Sequence, residues 1–245
     1  MSPKKRLSKK ELREDELKVA FLSAVTYYKE NQKRINYILM AVVGALVVGI
    51  LLRISITSMN RNAADTLDMG LRAFDDARVA AMNTTAGEEQ EKNPNDSMVE
   101  ALESFEMVVN NYPRSSSYRF GLIMAGNASY ELGEYDKAIE FLSRFLDKYT
   151  HSPLADQASS SLAYAYEQKG DLQKALEIFT AMLRARDGVD NAGYYSKSEL
   201  YLDIARVNEQ LGKKDDALEY YQKHRDEFPE SQHQVFVKDK VAELS

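Results

Sequence analysis

Apolar positions recur with helical spacing through most of the chain, and several of these runs are interrupted by a glycine. The pattern appears as ELGEYDKAIEFLSRFLDKY from residue 131, as EQKGDLQKALEIFTAML from 167 and as EQLGKKDDALEYYQKHR from 209. A glycine in an exposed helix costs about 1 kcal/mol relative to alanine. Gly133, Gly170 and Gly212 therefore predict turns between two helices. Their steps of 37 and 42 residues predict a series of helical hairpins.

Small residues flank each predicted turn at fixed distances, seven positions before the glycine and five positions after it. The six residues are Gly126, Ala138, Ala163, Ala175, Ala205 and Ala217. Small side chains at these places let the two helices of a hairpin approach closely. Upstream, AADTLDMGLRAFDDA, which contains Gly70, and MVEALESFEMVVNNYP predict a degenerate hairpin with a polar loop inserted between its helices.

The C-terminal stretch SQHQVFVKDKVAEL predicts one last helix. Its apolar positions place Val235, Val237 or Lys238, and Val241 against the last hairpin. A terminal repeat needs such a cap, because its apolar face is otherwise left open.

A different pattern occupies the stretch between Arg34 and Arg53, where INYILMAVVGALVVGILL carries no charge and is apolar on every helical face. Eighteen helical residues reach roughly 27 Å, close to the hydrocarbon thickness of a bilayer. A buried soluble helix would normally show a polar stripe, and a signal peptide has a short charged start. Since 34 residues precede this stretch, it predicts a retained transmembrane helix over 35–56 that contacts the lipid bilayer.

The charge distribution predicts how this helix is oriented. Residues 1–34 carry ten Lys and Arg against five acids, whereas the rest of the chain carries 22 against 33. Because cytoplasmic flanks are enriched in Lys and Arg, the N-terminus is predicted to be cytoplasmic and the large C-terminal domain extracytoplasmic. The basic tail also has interleaved acids and no aromatic stacking pattern, so nucleic acid is not an expected partner.

Within that tail, Leu17, Phe21, Val25 and Tyr28 fall on one helical face. This spacing predicts an amphipathic helix. It fits a helix lying along the cytoplasmic membrane surface and also one docked on a partner membrane protein.

The predicted fold class is all-α, with one transmembrane helix followed by a solenoid of about four hairpins. Three domains are predicted: the basic tail 1–34, the transmembrane helix 35–56 and the repeat domain 57–245. The repeat domain divides into units at about 61–113, with an inserted loop at 84–97, then 114–153, 154–190 and 197–230, and the cap 231–245.

The residues required for common catalytic chemistry are missing from this pattern. The chain has no cysteine, which excludes disulfides and thiolate chemistry. His151, His224 and His233 lack metal-ligand spacing and are expected on the surface. The sequence DGVDNAG from 187 lacks the alternating ligands of a calcium loop, and no phosphate-binding or nucleophile motif occurs. We therefore expect no enzyme, no metal, no cofactor and no small-molecule substrate.

The hairpins resemble the tetratricopeptide repeat (TPR), a helical hairpin of 34 residues. In the third copy, Ile204 and Ala205 occupy the Leu-Gly place of that repeat, and Gly212, Ala217, Tyr221 and the closing Pro229 are in register. The second copy matches at Leu162, Ala163, Tyr166, Gly170, Ala175 and Phe179 but lacks the closing proline. The resemblance implies a TPR-like α-solenoid.

In TPR proteins the first helix of each hairpin lines a concave protein-binding groove. The resemblance implies exposed groove positions at Ile123, Asn127, Tyr130, Glu131, Ser160, Tyr164, Glu167, Gln168, Leu202, Arg206 and Glu209. The lysines of the carboxylate-clamp subtype are absent from these places, so an acidic C-terminus is not the expected ligand. An extended peptide or a partner helix fits better.

A charged lead, one span and degenerate repeats together resemble the bacterial ancillary Sec translocon subunit family, which shares its repeat class with the periplasmic cell-division coordinator. The resemblance runs from DELKVAFLSAVTYYKENQKR through the span and the repeats. It implies a single-pass protein of the bacterial inner membrane with a periplasmic C-terminal domain. Two functions remain open: an adapter whose partners are the translocon, a periplasmic chaperone or secreted chains, and a structural scaffold for envelope assembly or cell division.

Overall fold

The computed structural model describes residues 9–85, 93–186 and 195–245. These residues form helices and connecting turns, with no strand among them. The helices are α1 (Lys9–Thr85), α2 (Pro94–Asn111), α3 (Tyr118–Glu131), α4 (Tyr135–Tyr149), α5 (Ala155–Lys169), α6 (Leu172–Arg184), α7 (Lys197–Gln210), α8 (Lys214–Glu227) and α9 (Gln234–Leu244). The all-helical prediction is confirmed for this part of the chain.

The chain divides into two compact units, Met1–Ser58 and Met59–Ser245. The first unit contains the N-terminal part of α1, which leaves helical geometry at Asn31 with φ −111° and ψ 16°. Among the described residues, one helical stretch, Glu16–Asn83, is long and apolar enough to cross a membrane by length and composition. Its most apolar 18-residue window has a mean hydropathy of 2.5.

The second unit is built from helical hairpins that turn at the predicted glycines. Gly133, Gly170 and Gly212 have φ values of 75°, 89° and 73°, in the left-handed region. In the first turn the backbone N–H of Glu134 donates to the Ser129 carbonyl across 2.8 Å, and the other two turns repeat this bond. A side chain at such a φ is strained, which explains the glycine.

The small residues beside the turns lie where paired helices meet, as predicted. A Cβ built on Gly126 would lie 2.6 Å from Cγ of Leu142 in the next helix. Ala138, Ala163 and Ala175 are fully buried. A Cβ on Gly70 would lie 2.6 Å from Phe105, so the end of α1 and α2 form the predicted degenerate hairpin.

Consecutive helices from α2 to α9 pack against one another, which is the arrangement of a solenoid. The core begins with a large cluster between α1 and α5 around Phe105, Leu142 and Phe145. It continues through Phe179 and Ile204 in a second cluster. Full burial of such a side chain contributes about 1.5 to 3 kcal/mol.

The predicted cap is present as α9, but one of its expected contacts is wrong. Val237 is fully buried and Val241 packs beside it, whereas Val235 is 74% exposed. Helix α9 begins at Gln234, and its face formed by Val237, Val241 and Leu244 packs against the last hairpin. Val235 falls outside this face. Phe236, next to it, instead makes an edge contact with Tyr221 at 6.1 Å between ring centroids.

Both ends of the segment 84–97 are helical, because α1 runs to Thr85 and α2 begins at Pro94. The side chain of Asn93 caps α2 by accepting from the Asn95 N–H across 3.0 Å. Proline at the first helical position follows this cap naturally. Three segments lie outside the described residues: 1–8 of the tail, 86–92 within the predicted inserted loop, and 187–194, which holds DGVDNAG and the end of the predicted 154–190 unit.

The expected surface position of His224 is also wrong. Its side chain is completely buried, with Nε2 2.9 Å from the Ser198 hydroxyl. Its ring lies 5.6 Å from that of Phe228. Burial, followed by the charge of His233, lowers the pKa of His224, which favours its neutral form. Polar neighbours along the sequence did not indicate this burial, which arises from α7.

We predict that Ala175→Trp destabilises the second unit. Ala175 is fully buried in the cluster of Phe179 and Ile204. Overpacking at such a site typically costs about 1 to 3 kcal/mol. Urea unfolding of residues 59–245 measures the effect. Ala181→Trp, at an exposed position of the same helix, is the control. If Ala175→Trp and Ala181→Trp unfold at the same urea concentration, the assigned pairing of these helices is wrong.

Candidate protein-binding groove

The second unit has two clefts, one lined by first helices of successive hairpins and one at its C-terminal end. The N-terminal cleft, of about 430 Å³, is lined by Leu71, Phe74, Asp75, Arg78, Met124, Asn127, Tyr130, Glu131, Gln157, Ser161 and Tyr164. The C-terminal cleft, of about 530 Å³, is lined by Leu202, Arg206, Glu209, Gln210, Tyr221, Phe236 and Lys240. The end of α1, α3 and α5 build the first cleft, and α7, α8 and α9 build the second.

Seven of the predicted groove residues line these clefts. The N-terminal cleft contains Asn127, Tyr130, Glu131 and Tyr164. The C-terminal cleft contains Leu202, Arg206 and Glu209. These seven predicted residues therefore lie in two separate groups, one in each cleft.

Three predicted groove residues are not exposed. Ile123 is 3% exposed and belongs to the main core cluster. Ser160 is 5% exposed, and its hydroxyl donates to the Gln157 carbonyl of its own helix across 2.9 Å. Glu167 is 7% exposed because α7 covers it. Gln168 is exposed but does not line either cleft. The accessible stripe of each first helix is thus narrower than predicted.

Tyr130 forms part of the wall of the N-terminal cleft and is half-buried. Its ring lies 5.7 Å from that of Tyr135 at the start of the next helix. Burial raises the pKa of Tyr130, and Tyr135 and Glu131 raise it further, while Arg206 lowers it. The hydroxyl is therefore neutral at physiological pH. A half-buried neutral phenol can donate a hydrogen bond and also cover an apolar side chain.

Tyr164 has a second role, because its hydroxyl connects α5 to α7. Its oxygen lies 3.0 Å from Oδ2 of Asp203 and is also within hydrogen-bond distance of the Tyr195 hydroxyl, so its single proton can go to either of these partners. Tyr195 in turn donates to Asp203. The Tyr164 ring packs edge-on against Phe179 at 5.4 Å. Burial and the charge of Asp203 raise the pKa of Tyr164 to about 12, and they raise that of Tyr195 further.

Arg206 completes this network with one guanidinium shared by two buried carboxylates. It forms ion pairs with Glu167 and Asp203. Gln210 adds a hydrogen bond to Glu167 across 2.8 Å. Burial raises the pKa of Asp203 to about 6, opposed by the hydroxyls of Tyr195 and Tyr164 and reinforced by Glu199. Removal of this carboxylate from water disfavours its charged form, which explains the direction of the shift.

The polar groups of the C-terminal cleft are also bonded to one another. Glu209 accepts from the Tyr221 hydroxyl across 3.1 Å and from Nζ of Lys240 across 2.6 Å. These bonds hold α7, α8 and α9 together. A ligand of this cleft that used Glu209 or Lys240 would have to replace bonds that the protein already makes.

The end of α1 contributes residues to the N-terminal cleft that were not predicted from the sequence. Leu71, Phe74 and Asp75 follow Gly70 by one, four and five positions. Asn127, Tyr130 and Glu131 follow Gly126 by the same distances. The signal was therefore present, because the register of the regular repeats extends to the degenerate one.

The lining of the N-terminal cleft suits recognition of a polypeptide. Apolar and aromatic surfaces alternate with amide, hydroxyl and carboxylate groups on rigid helices. Within residues 9–85, 93–186 and 195–245, no group of three or more acidic or histidine side chains is placed to hold a metal ion.

The fold and these clefts define a tetratricopeptide repeat solenoid. Residues 123–190 and 199–231 match two family models, both described as tetratricopeptide repeat. Together with the helix order, these matches show tetratricopeptide repeats within residues 123–231 and a TPR-like solenoid fold. Solenoids of this class are typical non-enzymatic scaffolds for protein interactions.

Solved structures show the same fold. A variant of nearly identical TPR-like repeats from Podosopora anserina has a TM-score of 0.55 and 16% identity, covering 73% of this chain and 85% of that one. A MamA protein has a TM-score of 0.51 and 19% identity, and the match covers 74% of this chain and 81% of that one. A tetratricopeptide repeat protein from Parabacteroides merdae has a TM-score of 0.50 and 14% identity, and the match covers 71% of this chain and 60% of that one. No curated protein matches the sequence significantly.

We predict that Asp203 makes the second unit more stable as the pH falls toward 5. Its pKa in the folded protein, about 6, lies above the ordinary value of 3.8. Between these values the folded state binds more protons than the unfolded state, so stability from this group is lost as the pH rises. Relative to Asp203→Asn, the wild-type protein should gain about 1 kcal/mol between pH 7.5 and 5.

Urea unfolding at several pH values measures this difference. Asp147→Asn, at an exposed position of α4, is the control and should track the wild-type protein. If the advantage of wild type over Asp203→Asn instead grows with pH, then Arg206 stabilises the carboxylate and the assigned direction is wrong.

Proposed function

We propose that this protein is a membrane-anchored, non-catalytic TPR adapter that binds polypeptide in its N-terminal cleft, outside the cytoplasm. The lining of the N-terminal cleft is the main support for this proposal. Three first helices place Leu71, Phe74 and Met124 beside the hydrogen-bonding groups of Asn127 and Gln157. A bound segment can bury apolar side chains there while its backbone bonds to the amides.

The proposed anchor is the apolar helix over 35–56. Its support is its length, its mean hydropathy and the excess of Lys and Arg before it. These features favour a single-pass protein of the bacterial inner membrane with a cytoplasmic N-terminus. The repeat domain would then lie in the periplasm.

Tyr130 is the proposed anchor residue for the bound segment. It is half-buried, so its ring is already held by Tyr135 and loses little freedom on binding. Tyrosine is also enriched among residues that dominate binding energy. Tyr164 lines the same cleft, but its hydroxyl holds α5 to α7, so its loss would disturb the fold as well as binding.

The resemblance to the ancillary Sec translocon subunit family supports a partner at or near the translocon, such as a translocon subunit, a periplasmic chaperone or an emerging secreted chain. The competing proposal is a scaffold for envelope assembly or cell division. Both proposals use the same cleft and differ in its occupant.

We predict that the C-terminus is extracytoplasmic. The chain has no native cysteine, so one introduced cysteine can be labelled selectively. In intact spheroplasts, a membrane-impermeant maleimide should label the Ser245→Cys variant, and it should label Ser8→Cys only after lysis. Labelling of Ser8→Cys alone in intact spheroplasts would reverse the proposed topology. Labelling of both, or of neither, would exclude a single crossing.

We predict that Tyr130→Ala weakens partner binding by roughly 30-fold, the factor that corresponds to loss of about 2 kcal/mol at a hot spot. Partners are first identified with a photo-reactive residue at Asn127 of the full-length protein in mild detergent. Affinity for the identified partner is then measured. Phe120→Ala is the matched control, because Phe120 is a partly exposed aromatic residue on the same helix outside the cleft.

The identity of the crosslinked partner separates the two functions. Translocon subunits or periplasmic chaperones support the adapter, whereas peptidoglycan or outer-membrane machinery supports the scaffold. Equal affinities of Tyr130→Ala and wild type, with both folded, would exclude Tyr130 as the anchor of the bound segment.

A further inference from the structure

The helix before the proposed span has an apolar stripe that the proposed function does not use. Over residues 16–30, seven uncharged side chains share one side of the helix and span roughly 160° of its surface at about 100° per residue, while Val19 and Leu22 lie on the opposite side with Ser23 and Thr26. The stripe consists of Leu17, Ala20, Phe21, Ala24, Val25, Tyr27 and Tyr28. Phe21 is 69% exposed and Leu17 is 66% exposed. The stripe carries no charged residue.

Charged residues surround this stripe unevenly. Lys18 and Lys29 lie along one of its edges, Glu16 borders the opposite edge beside Tyr27, and Glu30 lies farther from the stripe. Lys33 and Arg34 follow just before the proposed span. The stripe therefore has four cations beside it or at its end. Long basic side chains in this position can extend to lipid phosphates while their stems cover apolar surface.

The backbone changes geometry where the striped segment ends. Asn31 has φ −111° and ψ 16°, outside the helical region. Its side-chain amide donates to the Tyr27 carbonyl across 3.1 Å. A segment that lies along a membrane needs such a break before a helix that crosses the membrane. Asn31 lies between the amphipathic pattern and the uncharged stretch that starts at Ile35.

We infer that residues 16–30 form an interfacial helix that binds anionic lipid at the cytoplasmic surface, with the stripe buried at the boundary between headgroups and acyl chains. This inference rests on the proposed anchor and topology. The cytoplasmic leaflet is anionic, which matches the basic edge of the stripe. The span follows within five residues, so the segment is held at the membrane and even a weak intrinsic affinity keeps it bound.

Because the chain contains no tryptophan, a single introduced tryptophan reports on the environment of one position. Phe21→Trp places it in the stripe, and Thr26→Trp places it on the opposite face as the matched control. The full-length variants are reconstituted in nanodiscs of phosphatidylcholine and phosphatidylglycerol at 3:1, with and without brominated acyl chains. We expect a blue-shifted emission and at least threefold stronger bromine quenching for Phe21→Trp than for Thr26→Trp.

The contribution of lipid charge is measured in the same variant. Pure phosphatidylcholine, or replacement of both Lys18 and Lys29 by Gln, should reduce quenching of the Phe21→Trp reporter at least twofold. Unchanged quenching would overturn the assignment to anionic lipid. Equal quenching at both positions, or none at either, would overturn the interfacial helix. A Phe21→Trp reporter that stays in water until a protein partner is added would do the same and favour docking on a protein.

A separate reporter distinguishes failure of this inference from failure of the anchor. The Leu46→Cys variant should resist a water-soluble maleimide in the same nanodiscs, since Leu46 lies in the middle of the proposed span. Protection of Leu46→Cys with a water-exposed Phe21→Trp reporter overturns the interfacial helix alone. Labelling of Leu46→Cys overturns the anchor and, with it, the inference.

Discussion

Close approach between neighbouring helices is the constraint on which the described solenoid depends. A Cβ at Gly126 would meet Leu142 within its own hairpin, and one at Gly121 would come within 2.9 Å of Val108 in the preceding hairpin. Contact is therefore tight both inside a hairpin and between hairpins. The left-handed turn at Gly133 closes one hairpin so that these surfaces meet. The first helices then lie side by side, and this spacing creates the N-terminal cleft.

The same packing determines where a ligand can bind at low cost. Around α7 the polar groups are bonded internally: Arg206 to Glu167 and Asp203, and Glu209 to Lys240. Removing one partner of a buried ion pair is strongly destabilising, so these bonds act mainly to hold helices together. The N-terminal cleft lies outside that network except at Tyr164, and it includes the accessible apolar face of Leu71. This contrast is why the proposed binding is assigned to the N-terminal cleft.

Sequence alone was sufficient for features set by local chemistry. The left-handed glycines, the small residues at helix contacts and the degenerate hairpin with Gly70 follow from backbone geometry and spacing. Features set by a neighbouring helix were not predictable in this way. Ile123 and Glu167 occupy first-helix positions like Asn127, yet adjacent helices cover them. His224 has polar neighbours along the chain and is nevertheless buried, because helical geometry turns it toward α7.

The modest size of the N-terminal cleft is consistent with the proposed anchor. About 430 Å³ accommodates a few side chains of a bound segment. A protein fixed in a membrane meets a partner in the same membrane at a high effective concentration, so a weak contact is enough for frequent binding. A weakly bound partner also dissociates quickly, because differences in affinity between related complexes arise mostly from their dissociation rates. An adapter that binds its partner reversibly needs both properties, and the proposed anchor supplies the first without enlarging the cleft.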